Sequence, residues 1–254
     1  MQLNLTGRKA LVTGAGQGIG AAIALGLAQA GADVVVHYAN SKDAAADVVA
    51  QIVALGRASV AVQGDLTDSA QATAVVDAAA ESLGGLDIIV NNAGNLVGRH
   101  TIAEMSDEHW HQVMDVNATS GFFVSRAAIP YLTQSSAGRV IMMSSLASEN
   151  GGGAGAVAYA TAKSAIVGFT RGLAKELAPS NITVNALAPG FIGDTPFHNN
   201  FTPSSAQPGI IAGVPLGRAG TVEDVAGVTA FLASDLSSYV TGQVLDINGG
   251  LNFR

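Results

Sequence analysis

Seven short runs rich in β-branched residues, KALVT, ADVVVH, ASVAVQ, LDIIVN, GRVIMM, ITVNAL and GQVLDI, recur along the chain, with longer alanine-rich stretches between them. Strand-length runs alternating with helix-length ones predict successive βαβ units and a parallel sheet. The runs are apolar at consecutive positions, as expected of strands covered by helices on both faces. No linker, repeat or change of composition interrupts this rhythm, so the 254 residues read as one α/β domain. Such a core is built from small side chains: 48% of residues are hydrophobic but only 5% are aromatic. Glycine, 31 residues without a collagen-like period, points to tight turns and close backbone contacts.

The same composition excludes several functions. Twelve basic against nineteen acidic residues leave a net charge of −7 with no Lys/Arg cluster, which gives a nucleic acid backbone no general attraction. There is no cysteine, and therefore no disulfide framework, thiolate nucleophile or zinc-thiolate site. Five histidines (His37, His100, His109, His111, His198) form no ligand motif, so no metal site is expected. The start, MQLNLTGRKALVTGAG, lacks a basic segment followed by a long apolar one, and no later segment is long enough to span a bilayer. The sequence reads as that of a soluble cytoplasmic protein without a membrane partner.

Leu11-Val12-Thr13 runs into Gly14-Ala15-Gly16-Gln17-Gly18-Ile19-Gly20, and a helix is expected from there to about Ala30. A strand, a glycine loop and a helix in that order let backbone N–H groups approach a pyrophosphate at the positive end of the helix. The next strand ends in Tyr38-Ala39-Asn40-Ser41-Lys42, where an acid would grip the 2′-hydroxyl of NAD. No acid occurs before Asp43, and Asn40, Ser41 and Lys42 are donors suited to a 2′-phosphate. NADP(H) is favoured and NAD(H) remains open, since the same residues also suit a helix cap. Asp65, with Leu66 after it, and Asn91 end later strands on the ligand-binding edge of such sheets, and Asp65 could accept from an adenine amino group.

Tyr159 and Lys163 lie one helical turn apart in AVAYATAKSAIVGFTRGLAKEL and leave the same helix face. The preceding strand ends in Ser144-Ser145 on the cofactor side. A tyrosine beside an ammonium is expected to have its pKa held below the ordinary value of about 10, poised for acid/base work. A serine hydroxyl facing the same point would hold a carbonyl oxygen or alkoxide. The glycine-rich stretch Glu149 to Val157 reads as a loop, and Gly193 to Pro215, with four prolines, reads as a flap over the site.

Taken in order, Thr13-Gly14-x3-Gly18-x-Gly20, Asn91-Asn92-Ala93-Gly94, Asn117, Ser145, Tyr159-x3-Lys163 and Pro189-Gly190 make the sequence resemble a single-domain short-chain dehydrogenase/reductase over essentially its whole length. The resemblance implies a Rossmann-like, doubly wound, seven-stranded parallel sheet between two helical layers. It also implies a homotetramer assembled through the helices carrying Asn117 and Tyr159. By the same resemblance Tyr159 exchanges a proton with the substrate oxygen while hydride passes between carbon and nicotinamide. Lys163 holds the nicotinamide ribose and lowers the tyrosine pKa, Ser145 orients the carbonyl, and Asn117 keeps a water in a proton relay. The dinucleotide would be held by Gly14, Gln17, Gly18, Ile19, Gly20, Tyr38, Asn40, Ser41, Asp65, Leu66, Asn91, Ala93, Gly94, Pro189, Gly190, Ile192 and Thr195, together with Tyr159 and Lys163.

Some features depart from the family pattern. Ser145 stands 14 residues before Tyr159 where the family has 13, which keeps Ser144 as a fallback and puts an extra residue among Gly151, Gly152 and Gly153. Thr195 falls one position late, with Gly193 the apparent insertion. Gln17 stands where many NADPH-dependent ketone reductases carry arginine. The chain is similar to 3-oxoacyl-carrier-protein reductases too, but Ser136 and Ser180 occupy places where those have basic residues, and the net charge of −7 opposes an acidic carrier. A small ketone or secondary alcohol is therefore the expected substrate, walled by Leu96, Leu146, Glu149, Asn150, Phe191, Phe197 and His198 beside Ser145 and Tyr159. An NAD-dependent polyol or sugar dehydrogenase is the alternative. A cofactor-sensing module without chemistry is disfavoured, because a sensor needs no complete Asn117, Ser145, Tyr159 and Lys163 set.

Overall fold

The computed structural model describes residues 3–253. Seven strands form one parallel sheet: β1 Lys9–Val12, β2 Asp33–Tyr38, β3 Ser59–Gln63, β4 Ile88–Asn91, β5 Arg139–Met143, β6 Thr183–Pro189 and β7 Val244–Ile247. Their spatial order is β3-β2-β1-β4-β5-β6-β7, so the direction of winding reverses between β1 and β4. Leu11 pairs with Val35 on one side and Ile89 on the other. The crevice outside the carboxyl ends of β1 and β4 is where an open sheet of this kind offers a ligand site.

The helices are α1 Gly18–Gln29, α2 Lys42–Ala54, α3 Ser69–Leu83, α4 Asp107–Met114, α5 Ser120–Leu132, α6 Ala147–Asn150, α7 Val157–Leu177, α8 Pro196–Phe201, α9 Gln207–Ala212 and α10 Val222–Ala233. Because successive strand residues face opposite ways, the sheet feeds two cores. Val12, Val36, Val90 and Ile141 pack under α1, α2 and α10. Leu11, Val35, Ile89 and Met142 pack under α3, α5 and α7. Small residues let the helices come close, as where Gly26 of α1 meets Ala226 of α10.

Two expectations are adjusted. The outer strands are not apolar on both faces: β3 carries exposed Val60 and β7 is half-exposed throughout, because an edge strand has a neighbour on one side only. The stretch after β5 is not loop from Glu149 onward, since α6 runs to Asn150 before Gly151 and Gly152 turn the chain at φ 80° and 72°. No helix among the described residues is long and apolar enough to cross a membrane.

Candidate active site

The loop from β1 to α1 is shaped by backbone constraints. Gly14 and Gly18 adopt φ of 61° and 56°, which other residues rarely tolerate. A Cβ on Gly20 would overlap the Gly14 carbonyl oxygen. Thr13 and Asn92 tie this loop to β4: Thr13 Oγ1 accepts from the Asn92 and Ala93 N–H groups at 2.9 Å, and Asn92 Nδ2 donates to the Thr13 and Gly14 carbonyls at 2.9 and 3.1 Å. The first turn of α1 carries no acidic side chain, and Gln17 makes no side-chain capping bond. Its free N–H groups and dipole therefore suit a phosphate.

Beside this loop the catalytic candidates converge. A wide turn with a single i to i+5 register, Asp115–Thr119, joins α4 to α5 and carries Asn117 inward. Asn117 Nδ2 donates to the Asn95 and Val113 carbonyls at 2.6 and 2.9 Å, and its Oδ1 accepts from Asn95 N–H at 3.1 Å. A Cβ on Gly94 would lie 2.8 Å from Asn117 Oδ1 and 3.0 Å from Lys163 Nζ, so both polar groups flank that glycine. Lys163 is buried and donates to the Met143 carbonyl at 2.9 Å.

The two serines separate cleanly. Ser144 is buried, with its hydroxyl donated to the Lys163 carbonyl at 2.9 Å. Ser145 accepts the Ala147 N–H at 3.1 Å and hydrogen-bonds Tyr159. Ser145 is the serine that faces the phenol.

The electrostatics reverse one expectation. Burial pushes the Tyr159 phenol up to about 12, with the Ser145 hydrogen bond acting in the opposite sense. The ammonium does not offset this: Lys163 Nζ stands 5.6 Å from the ring centroid, and its own burial draws it down to about 8.

Ser145 and Tyr159 stand where two cavities meet. One is lined by Gly14, Gln17, Gly18, Ile19, Gly20 and Gly94 at its glycine-loop end, and by Lys163, Pro189, Gly190, Ile192 and Thr195 at the other. The second, about 550 Å³, is walled by Leu96, Leu146, Asn150, Phe191, Phe197 and His198. Thr195 reaches the first: Ile192 pairs with Gly220 in an isolated parallel bridge, Gly193 N–H donates to the Gly220 carbonyl at 2.9 Å, Asp194 turns back at φ 53°, and Thr195 caps α8. A third cavity is lined by Asn40 and Asp65.

Other expected residues lie elsewhere. The Tyr38 and Leu66 side chains are in the two cores. Asn91 turns its amide inward to Ser125 Oγ at 3.1 Å, and Ala93 contributes its N–H to Thr13. Ser41 sits under Gly16, whose Cβ would meet Ser41 Oγ at 2.5 Å. Asp65 accepts both the N–H and the hydroxyl of Thr67, which hold its carboxyl below the usual range. Glu149 is exposed and lines none of these cavities. The 193–215 segment contains helices α8 and α9, and Phe197 packs 5.7 Å from Tyr159, centroid to centroid. Sequence reasoning missed Arg99 and Phe201, which also line the apolar cavity. The one signal for Arg99 is its place in a loop leaving the carboxyl end of a strand.

A family profile described as "Enoyl-(Acyl carrier protein) reductase" matches residues 14–252. The chain is 40% identical to a 3-oxoacyl-[acyl-carrier-protein] reductase of Synechocystis, over 97% of this chain and 98% of that protein. Among solved structures, it is similar to a short-chain dehydrogenase of Burkholderia cenocepacia in complex with NADP, with TM-score 0.92, 37% identity and coverage of 98% and 100% of the two chains. A blue fluorescent protein from a metagenomic library, in complex with NADPH, gives TM-score 0.92 at 38% identity, with the same coverage.

Proposed function

The chain belongs to the short-chain dehydrogenase/reductase family, and from that premise we propose that it reduces a small ketone to a secondary alcohol, or runs the reverse, with NADP(H). The observation that carries the proposal is that Ser145 and Tyr159 line both the glycine-loop cavity and the apolar cavity beside it. A carbonyl held there would face the hydroxyls of Ser145 and Tyr159, beside the cavity that would hold the dinucleotide. The cradle fits a dinucleotide, because Gly14, Gly18 and Gly20 line it without side chains and the α1 terminus offers N–H groups to phosphate. When bound, the dinucleotide supplies or accepts the hydride.

This chain's own residues do the rest. Ser145 holds the carbonyl oxygen, and Tyr159 gives it the proton that an alkoxide demands. A phenol near 12 is fully protonated at neutral pH and still far more acidic than an alcohol, which suits reduction. Lys163 orients the nicotinamide ribose, and Asn117 braces the loop at Asn95 and Gly94. The 2′-phosphate is proposed to lie by Asn40, Ser41 and Lys42, where the cavity's one carboxylate, Asp65, is already engaged by Thr67. The 193–215 segment is proposed as the substrate flap. A homotetramer is supported by exposed Phe122 on α5 and Val157 on α7. An acyl carrier protein is a poorer substrate for a surface of net charge −7.

Tyr159→Phe is the direct test. NADPH binding is expected to persist while ketone reduction falls by orders of magnitude; unchanged turnover would overturn the mechanism.

A further inference from the structure

Arg99 stands in the loop that leaves the carboxyl end of β4, beyond Gly94, and lines the apolar cavity, where it bonds the Phe201 carbonyl. No aspartate or glutamate among the described residues lines that cavity. His198, its other basic side chain, is pushed down to about 4, first by burial and then by the charge of Arg99. Among the described residues the guanidinium is thus the cavity's one charged group at neutral pH, and its field reaches inside.

Among the described residues Arg99 pairs with no carboxylate. The ion pairs among the described residues join Arg8, Arg57, Arg139 and Arg218 to aspartates. Arg99 donates instead to neutral acceptors: Nη1 to the Ala154 carbonyl at 2.9 Å, and Nη2 and Nε to the Phe201 carbonyl at 3.3 and 3.4 Å. A guanidinium has five N–H donors, so one on each terminal nitrogen is left over, the number that a bidentate carboxylate takes. The glycine loop is shaped around this side chain. A Cβ on Gly155 would meet Arg99 Cβ at 3.0 Å, and one on Gly153 would meet Nη1 at 3.3 Å.

We infer that Arg99 makes the chain selective for ketones that carry a carboxylate at the far end of an apolar body, over neutral ketones of the same shape. The inference rests on the assignment of Ser145 and Tyr159 to the carbonyl end. A charge-assisted pair at the rim of an apolar cavity corresponds to a preference of roughly tenfold to a hundredfold.

The test is a series of linear keto acids of graded length and their methyl esters, each assayed with NADPH by nicotinamide absorbance. At the best length, kcat/KM for the acid should exceed that for its ester by roughly tenfold or more, chiefly through KM. Arg99→Met should collapse this ratio, and Arg99→Lys, which keeps the charge and loses the fork, should restore part of it. A wild-type ratio near one overturns the inference without recourse to any variant. So does an Arg99→Met that lowers acid and ester alike, which would make Arg99 a strut between the flap and the glycine loop. If the protein binds NADPH yet reduces neither acids nor esters, the ketone reductase reading itself fails.

Discussion

Lys163 is where function and stability pull apart. Its ammonium is buried and donates to the Met143 carbonyl, and burial draws its pKa from 10.5 to about 8. Below about pH 8 the folded chain carries the cost of a desolvated charge. As pH rises from 8 toward 10.5 the unfolded chain holds the extra proton, so this cost fades and stability rises. Lys163→Met should therefore abolish turnover without lowering the melting temperature at neutral pH, and its advantage over wild type should shrink in alkaline melts. A variant that melts well below wild type at pH 7 would contradict this. The serines offer a second test. Ser145→Ala should cut kcat by about a hundredfold or more, whereas Ser144→Ala, which removes a buried bond to the Lys163 carbonyl, should cost about 1 kcal/mol of stability. Denaturant titration beside kinetics separates the two.

At the level of elements, the β1 to α1 turn works because three chain segments interlock. Gly14, Gly20 and Asn92 leave no room between them: a Cβ on Gly20 would meet Asn92 Nδ2 at 2.5 Å as well as the Gly14 carbonyl. Gly20→Ala should open the turn and release the dinucleotide. Gly18, at φ 56°, has only the Pro196 ring within reach, so Gly18→Ala carries mainly backbone strain of about 1–2 kcal/mol. Equilibrium binding of NADPH to the two variants should rank them in that order, with Gly20→Ala the weaker binder. The wide turn at Asp115–Thr119 was not legible in the sequence, because a one-residue change in helical register has no residue signature. It nonetheless brings Asn117 to Asn95.

For the molecule as a whole, the site lies at the carboxyl edge where β1 and β4 part, bounded by loops from several strands and by the 193–215 segment. A ligand bound there holds separate segments together. NADPH at a hundred times its Kd should stabilise the fold by about 2.7 kcal/mol, a rise of several degrees in the melting temperature for a chain of this size. The shift with NADH at equal concentration should be smaller if the phosphate is read at Asn40 and Ser41. Equal shifts would remove the NADP(H) preference and leave the rest of the proposal standing.

The order of strands and helices, the glycine turn and the Tyr159–Lys163 pair were legible in sequence, because backbone geometry and helical spacing are local properties written in consecutive residues. Tertiary structure decided what depends on surroundings. It sends Tyr38 and Asn91 inward, separates Ser144 from Ser145 by which carbonyl lies within reach, and raises the Tyr159 pKa where a neighbouring ammonium suggested the reverse. It also brings Arg99 to a cavity whose other walls come from distant stretches of chain. Burial and field are sums over everything that packs around a group, and no local pattern contains them.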